Sequence, residues 1–279
     1  MDDTQDLQNV QIELAMLAET VFRKYGYDFR DYSEAHLRRR IKHAMQKLNA
    51  PSISALQHEI LYDKACFDLV LKELSINVTE MFRDPSFYRL LREEIIPTLK
   101  TYPFVKIWHA GCASGEEVYS MAILLKEEGL YDKAQIYATD FNARVLQQAK
   151  EAIFPIELIK EYTANYIAAG GRQDFSDYYT AAYDSIILSK SLRERIVFSD
   201  HNLATDTVFG EMHMVICRNV MIYFNQELQD RVVKLFADSL CYRGILCLGS
   251  KESLKFNANA ALFEAISETE KVYKKTGRQ

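Results

Sequence analysis

Val105–Ser120, with the sequence V-K-I-W-H-A-G-C-A-S-G-E-E-V-Y-S, is the stretch that decides the fold. A short apolar run leads into a bend of small residues between Gly111 and Gly115, and Glu116 and Glu117 then begin an amphipathic pattern. This order predicts a strand, a tight turn and a helix N-terminus, the local build of a nucleotide-type ligand site. Small residues let the main chain approach a ligand closely, and acids are favoured in a first helical turn. The alternative is an ordinary strand-to-helix turn of an α/β domain.

The two glutamates after the turn exclude the common phosphate-binding loops. A P-loop has Lys and then Ser or Thr after its last glycine, whereas Gly115 is followed by Glu116 and Glu117, which would repel a triphosphate. A dinucleotide-binding fingerprint requires G-x-G-x-x-G, and here Gly111 and Gly115 are separated by three residues. Acids at this position suit a ligand that carries a cation, such as an amino-acid ammonium.

Length and composition place the chain among soluble globular proteins. Of its 279 residues, 48% are apolar and 26% are charged, and the net charge of -5 disfavours a general nucleic-acid binder. The N-terminal residues are acidic and helical in pattern and lack the features of a signal peptide, and no apolar run approaches the length of a membrane span. We therefore expect a cytoplasmic protein without membrane insertion.

The cysteines and histidines show no spacing typical of a disulfide framework or a metal site. The five cysteines are odd in number and include no C-x-x-C pair, and the six histidines are dispersed along the chain. This pattern predicts buried, reduced thiols, with neither a disulfide framework nor a metal site.

Residues from about 6 to 75 have the apolar spacing of helices. Apolar residues recur three and four positions apart at Ile12, Met16, Leu17 and Val21, and again at Leu37, Ile41, Met45 and Leu48. Ser33 and Ser52 stand where helices would begin. The pattern predicts a small all-helical domain.

The second predicted helix carries a basic cluster that includes Arg38, Arg39 and Lys42. Such a cluster is commonly a solvated charged face. The alternative is an electrostatic dock for an acidic protein surface.

A second strand, Gln135–Asp140, ends in an acid. Asp140 lies 25 residues beyond Gly115, close to where a nucleoside-binding Rossmann-type unit places a carboxylate for the ribose hydroxyls. The alternative role of Asp140 is to cap the helix that follows at 142–150. Together with the glycine turn, the acid favours the ligand site.

The remaining chain continues this strand–helix pattern after one interruption. Residues 151–192 predict a helical piece followed by a small antiparallel β excursion, and such insertions gather at ligand or partner ends. The later predicted elements are strands at Arg195–Asn202, Met212–Asn219 and Gly244–Ser250, a helix at Gln226–Tyr242, and a closing hairpin between Leu262 and Lys275. Asn202 and Asn219 end two strands, at the edge where such sheets bind ligands.

Four motifs occur in one order and spacing: N-x-T-x-x-F-R at 77–83, G-C-A-S-G-E-E-V-Y-S at 111–120, A-T-D at 138–140 and C-R-N-V-M-I-Y-F at 217–224. Over nearly its whole length the chain resembles the chemotaxis receptor methyltransferases of the CheR family. The resemblance implies an α/β fold, a Rossmann-like S-adenosylmethionine-dependent methyltransferase with an N-terminal helical domain and a small inserted antiparallel β-subdomain. It implies a receptor-docking domain at 1–75, a linker and cofactor-contacting segment at 76–104, and a methyltransferase domain at 105–279 with the insertion at 152–192.

The resemblance also implies an activity and its residues. The family transfers a methyl group from S-adenosylmethionine to glutamate side chains on the cytoplasmic helical domain of chemoreceptors, the methyl-accepting chemotaxis proteins, without a metal and with S-adenosylhomocysteine as product. The implied cofactor contacts are Asn77, Thr79, Arg83, Gly111, Glu117, Asp140, Asn202, Leu203, Asn219 and Val220. Arg83 and Tyr223 would lie nearest the transferred methyl, and Arg38, Arg39 and Lys42 would form the receptor-docking surface.

Three departures from the family pattern are visible. Val118 stands where the family usually has Pro, and Met81 replaces a common Phe. The predicted β-subdomain lacks the glycine-containing loop of members that grip a C-terminal receptor pentapeptide, so we expect docking without that tether. Two alternatives remain: a methyltransferase for another protein carboxylate in a related chemosensory pathway, and a non-catalytic module that senses the cofactor. A nicotinamide dehydrogenase is disfavoured by the missing third glycine.

Overall fold

The computed structural model describes residues 3–75, 79–208 and 210–277. The chain forms two compact units. The helical unit consists of Met1–Ile76 and Ile222–Val232, and the sheet unit consists of Asn77–Met221 and Val233–Gln279. In the described part of the chain, no helix combines the length and the apolar character needed to cross a membrane.

Four helices build the N-terminal part of the helical unit: α1 (Asp3–Tyr25), α2 (Glu34–Leu48), α3 (Ile53–Tyr62) and α4 (Lys64–Leu74). The predicted helical character is therefore confirmed, and Ser52 caps α3 by accepting a hydrogen bond from the Ala55 N–H. The predicted apolar face of α1 is partly wrong. Ile12 and Met16 are 60% and 52% exposed, because the core instead takes residues such as Leu14.

A segment from far along the sequence completes the helical unit. The Ser33 N–H donates to the Tyr223 carbonyl at 2.8 Å, and the Asn225 N–H donates to the Asp31 carbonyl at 2.9 Å. These main-chain bonds join residues 222–232 to the entry of α2, which the sequence pattern did not indicate.

A mixed sheet of seven strands is the centre of the sheet unit, in the order β6-β2-β1-β7-β8-β10-β9. The strands of this sheet are β1 (Val105–Ala110), β2 (Ala134–Asp140), β6 (Ile196–Asp200), β7 (Met212–Cys217), β8 (Leu240–Leu248), β9 (Phe263–Ser267) and β10 (Val272–Lys275). The five strands from β6 to β8 are parallel, and β10 and β9 add the predicted closing hairpin. The chain runs outward from β1 to β6 and returns at β7, so the switch point lies between β1 and β7.

The helices of the second half are α5 (Pro85–Leu90), α6 (Ile96–Leu99), α7 (Glu116–Glu127), α8 (Ala143–Glu151), α9 (Ile159–Ala168) and α10 (Gln226–Ser239). A π-helical turn, Leu91–Ile95, joins α5 to α6. These two helices lie in the predicted linker 76–104, and Phe87, Tyr88 and Leu91 are part of the hydrophobic core. This segment therefore belongs to the packed fold as well as leading to the first strand.

The insertion forms a separate three-stranded antiparallel sheet in the order β3-β5-β4, which confirms the predicted antiparallel β excursion. Its strands are β3 (Ile153–Pro155), β4 (Tyr179–Ala182) and β5 (Ser185–Leu188). The prediction placed a helical piece before the β excursion. The structure differs in that β3 precedes α9 and pairs with β5 across the helix.

The end of the predicted helix Gln226–Tyr242 is wrong. The helix stops at Ser239, and residues 240–242 begin β8, where Leu240 is in register with Met212 of β7. Pairing with a buried neighbouring strand overrides the helical apolar spacing at this point.

Candidate functional site

The glycine turn lies at the switch point of the sheet. Gly111 and Gly115 have φ of 79° and 96°, a conformation that favours glycine. A Cβ on Gly111 would lie 2.6 Å from Cγ2 of Val220, so this turn and the loop after β7 approach each other too closely for a side chain. The predicted residues Gly111 and Val220 are therefore neighbours at the carboxyl ends of β1 and β7.

Asp140 ends β2 beside the same turn and is buried. Its Oδ2 accepts from the Ala113 N–H at 3.0 Å and its Oδ1 accepts from the Asn142 N–H at 2.9 Å. Burial raises the pKa of Asp140 to about 6, although these main-chain bonds oppose the rise. Asn142 is the residue that caps α8, so the alternative role of Asp140 as the helix cap is wrong.

Glu117 lies in the first turn of α7, and its side chain is 18% exposed. Oε1 accepts from Nδ1 of His109 at 3.0 Å, and Oε2 accepts from Nη1 of Arg218 at 3.2 Å. Burial opposes ionisation, but the His109 hydrogen bond and the Arg218 charge outweigh it and lower the pKa of Glu117. A carboxylate offers about four lone-pair sites, so Glu117 keeps acceptor capacity for a further donor.

Arg218 is a site residue to which the sequence analysis gave no role. Its guanidinium is 2% exposed and pairs with Asp84 at 2.5 Å as well as with Glu117. Its Nη1 also donates to the main-chain carbonyl of Arg83 at 3.3 Å, and its Cζ lies 4.2 Å from the Phe87 ring centroid. The motif C-R-N contained the residue, but its partners are far away in sequence.

The segment before α5 supplies Thr79 and Arg83, both half-buried, whereas the predicted contact Asn77 lies outside the described residues. Phe82 and Asp84 have φ of 53° and 57°, and the Phe82 N–H donates to Oγ of Ser120 at 2.8 Å. Positive φ at non-glycine residues is uncommon and is concentrated where surrounding contacts hold the chain for a function. This segment is therefore held in a specific shape beside α7.

The loop after β7 is organised by another acid that the sequence analysis missed, Glu252. Its buried carboxylate accepts four main-chain hydrogen bonds, from Asn219, Val220, Met221 and Gly249, at 3.0, 3.0, 2.7 and 2.5 Å. Asn219 has φ of 62°. Glu252 therefore fixes the main chain of the two predicted contacts in this loop. Its position just after a predicted strand was the available signal.

Asn202 and Leu203 follow β6. Oδ1 of Asn202 accepts from the Ala204 N–H at 2.9 Å, and Leu203 is buried. The His201 N–H donates to the Asp140 carbonyl at 3.3 Å, which ties the start of this loop to the end of β2. The loop after β6 thus lies next to the end of β2, at the same carboxyl edge of the sheet as the other predicted contacts.

The predicted cofactor contacts in the described part of the chain all belong to the sheet unit. They lie at or beyond the carboxyl ends of β1, β2, β6 and β7 and on the segment before α5. Tyr223 belongs to the helical unit, where its ring centroid lies 5.2 Å from that of His36. The predicted cofactor contacts of the described residues therefore share one unit, and their roles and the catalytic role of Tyr223 stay predictions.

The predicted docking residues Arg38, Arg39 and Lys42 are exposed on α2, opposite its buried residues Leu37 and Ile41. Nη2 of Arg39 lies 3.1 Å from Nδ1 of His36. In the described ranges, none of these three cations forms an ion pair with an acid. The face is therefore a local concentration of uncompensated positive charge on an acidic protein.

Two family models match the chain: the CheR methyltransferase SAM-binding domain over residues 77–272 and the CheR methyltransferase all-alpha domain over residues 12–75. The chain belongs to the CheR methyltransferase family. It is therefore an S-adenosylmethionine-dependent methyltransferase by family, with the helical domain and the Rossmann-like fold that the motifs implied.

Relatives with methyltransferase names match most of the chain. A protein of Pseudomonas putida that bears the methyltransferase name Cher3 is 50% identical over 269 residues, which is 96% of this chain and 98% of that protein. A chemotaxis protein methyltransferase of Listeria innocua is 27% identical, covering 89% of this chain and 92% of that protein. One of Borreliella burgdorferi is 26% identical, covering 88% and 90%.

Proposed function

We propose that this CheR methyltransferase transfers methyl groups from S-adenosylmethionine to glutamate side-chain carboxylates of chemoreceptors, which gives glutamyl methyl esters and S-adenosylhomocysteine. The observation that carries the proposal is the pair of acids at the switch point: Glu117, ionised and with free acceptor capacity, and Asp140 at the end of β2. The chemotaxis methyltransferase names of the relatives support the receptor as substrate.

The residues at the sheet edge fit this cofactor. Glu117 can accept hydrogen bonds from an amino-acid ammonium, and Asp140 can accept from ribose hydroxyls. Gly111 leaves the turn without a side chain and lies against Val220, and Glu252 fixes the main chain of Asn219 and Val220. Asn77, Thr79 and Arg83 would cover the methionine end, and Asn202 and Leu203 would lie near the adenine.

Bound S-adenosylmethionine supplies a methyl group on a sulfonium, which a carboxylate oxygen attacks. A glutamate has a reference pKa of about 4.3 and is almost fully ionised at neutral pH, so the reaction requires no general base. The protein's task is to place the carboxylate in line and to exclude water. In this proposal the Arg83 guanidinium orients the substrate carboxylate through its planar fork, and the Tyr223 hydroxyl adds a hydrogen bond.

The exposed cations of α2 support docking to an acidic surface, which we propose is the cytoplasmic helical domain of a receptor. The hairpin between β4 and β5 turns in two residues, Tyr183 and Asp184, and Tyr183 is fully exposed. This short turn supports docking without a pentapeptide tether. The proposed reaction would then take place in the cytoplasm and uses no metal.

The test is incubation with methyl-labelled S-adenosylmethionine and receptor cytoplasmic fragments, followed by base treatment. Glutamyl methyl esters release the label as methanol, and we expect base-labile label on the receptor fragment. Label that resists base, or label only on a different acidic protein, would contradict the receptor-glutamate proposal.

Docking is tested by a charge reversal with a charge-matched control. Replacing Arg38, Arg39 and Lys42 with Glu should abolish receptor methylation and leave cofactor affinity unchanged. The control reverses three other exposed cations of the helical unit, Lys24, Lys64 and Lys72. Equal methylation rates for the two triple variants would contradict the docking role and would show that the α2 cations are only a solvated charged face.

A further inference from the structure

The Arg218 side chain contacts two of the segments around the cofactor turn, and Arg218 begins the third. Its guanidinium bonds the Glu117 carboxylate of α7 and the Arg83 carbonyl, and it pairs with Asp84 beside that carbonyl. The residue that follows it is Asn219, the first predicted contact of the loop after β7.

The guanidinium is held in place by its own surroundings. It is 2% exposed, and its Cζ lies 4.2 Å from the Phe87 ring centroid, in a stacking position. The two nitrogens at its end point to different partners, Nη1 to Glu117 and Arg83 and Nη2 to Asp84. A rigid planar fork is suited to such a junction, whereas a Lys ammonium is a single point charge.

We propose that Arg218 is the positioning residue for the ammonium end of the cofactor site: it holds the Glu117 carboxylate in one orientation and fixes the adjoining Arg83 main chain. This inference rests on the proposed function, in which Glu117 accepts the ammonium of S-adenosylmethionine.

The contacts of Glu117 show how the positioning works. His109 holds one carboxylate oxygen and Arg218 holds the other, so the plane of the carboxylate cannot rotate freely. The remaining lone pairs then keep a fixed direction, on a side chain that is 18% exposed. The Arg218 charge also helps to keep the pKa of Glu117 low despite burial, which maintains the ionised form that an ammonium requires.

The main-chain conformation of the segment that Arg218 contacts, and of the residue after Arg218, supports the same role. Phe82 and Asp84 flank Arg83 with positive φ, and Asn219 follows Arg218 with positive φ. Such conformations persist only where surrounding contacts hold them. The bonds from Arg218 to Asp84 and to the Arg83 carbonyl are contacts of this kind.

The test compares two ligands that differ only at the amino-acid end. S-adenosylhomocysteine carries the ammonium, whereas methylthioadenosine has the same nucleoside and thioether without it. Calorimetry on the full chain gives both affinities, and their ratio measures the contribution of the amino-acid end. We expect Arg218→Met to weaken S-adenosylhomocysteine binding about tenfold or more and to leave methylthioadenosine within about twofold. In Arg218→Lys the ratio of the two affinities should lie between that of Arg218→Met and that of the wild type.

Arg92 provides the matched control. It is another buried arginine of the sheet unit, 7% exposed and paired with Glu127 and Glu128. Arg92→Met should lower the thermal unfolding midpoint and leave the ratio of the two affinities unchanged.

An equal loss of affinity for both ligands in Arg218→Met, or no loss for either, would overturn the inference. If Arg218→Met does not fold, the ratio in Arg218→Lys decides, and an unchanged ratio overturns the inference as well. The proposed function fails separately: a wild-type chain that does not bind S-adenosylhomocysteine contradicts it, whereas failure to methylate a receptor leaves the Arg218 result intact.

Discussion

Two arginine-paired carboxylates on α7, Glu117 in its first turn and Glu127 at its end, have the same chemistry and different surroundings. Both pair with a buried arginine, Glu117 with Arg218 and Glu127 with Arg92. The Glu127 side chain is 1% exposed and accepts four donors, while that of Glu117 is 18% exposed and accepts two. Burial of a paired acid therefore does not identify a ligand site. We propose that an ionised carboxylate that is both partly accessible and engaged by few donors, as Glu117 is, marks the ligand site.

The donors to Glu127 explain its structural role. Tyr166 and Tyr178 come from the insertion, the Arg172 N–H lies between them, and Arg92 comes from the helical segment before β1. Hydrogen bonds from Tyr166 and Arg172 and from Arg92 outweigh the burial of Glu127 and lower its pKa. With these four donors and a side chain that is 1% exposed, the Glu127 carboxylate fixes the insertion on α7 and offers almost no accessible surface to a ligand.

The largest expected effect is on stability, from Glu127→Gln. The substitution removes the charge that Arg92 and the tyrosines surround, and we expect a loss of about 3 kcal/mol in the free energy of unfolding. Urea unfolding measures it. Because the Glu127 side chain is 1% exposed and engaged by its four donors, affinity for S-adenosylhomocysteine should not change. A loss of affinity with unchanged stability would reverse the roles assigned to the two acids.

Glu117→Gln is the matched substitution at the other acid. Losing one charged hydrogen-bond acceptor for an ammonium should weaken S-adenosylhomocysteine binding about thirtyfold. Arg218 keeps its pair with Asp84, so we expect less destabilisation than in Glu127→Gln. Calorimetry of the two variants in parallel gives both quantities. Unchanged affinity in Glu117→Gln would remove Glu117 from the site.

The third effect is on the pH dependence of binding. The folded pKa of Asp140 is raised to about 6, so its carboxylate becomes protonated as the pH falls through that value and loses acceptor capacity for the ribose. Glu117 stays ionised in this range because its pKa is lowered. We expect affinity for S-adenosylhomocysteine to be about tenfold weaker at pH 5 than at pH 7.

Asp140→Asn is the control for that profile. It should bind more weakly at pH 7 and lose the dependence on pH between 5 and 7. A flat wild-type profile, or an identical slope in Asp140→Asn, would rule out Asp140 as the titrating group of the site.

The smallest effect is expected at the rim of the Glu127 cluster, which consists of Glu127, Glu128 and their partner Arg92. Lys100 is 44% exposed and lies 3.4 Å from Glu128, so water screens this pair. Lys100→Ala should change the free energy of unfolding by less than about 0.5 kcal/mol and leave ligand affinity unchanged. A change as large as that in Glu127→Gln would show that the cluster depends on its exposed charge.

Local order along the chain made much of this site predictable. Glu117 and Asp140 stand at characteristic distances from the glycine turn, and the positions of strands β1, β2 and β7 follow from buried apolar runs. Arg218 could not be assigned in this way, because Glu117 and Asp84 lie 101 and 134 residues from it in sequence. The role of Glu252 likewise depends on which loop the fold brings to it.

The elements that sequence reasoning missed depend on tertiary packing. Residues 85–99 form helices whose apolar residues enter the core, and residues 240–242 pair with β7 instead of extending α10. Ile12 and Met16 fit a helical apolar stripe, yet the packing of α1 leaves both exposed. Periodicity predicts that an apolar face exists and does not say which neighbour covers it.

A crystal structure of the protein with S-adenosylhomocysteine tests the central claim most directly. We predict the ligand's amino nitrogen at about 2.9 Å from a Glu117 carboxylate oxygen, with Glu127 retaining its four donors and the ribose hydroxyls on Asp140. A ligand whose amino group lies away from Glu117, or one bound beside the Glu127 cluster, would contradict the account.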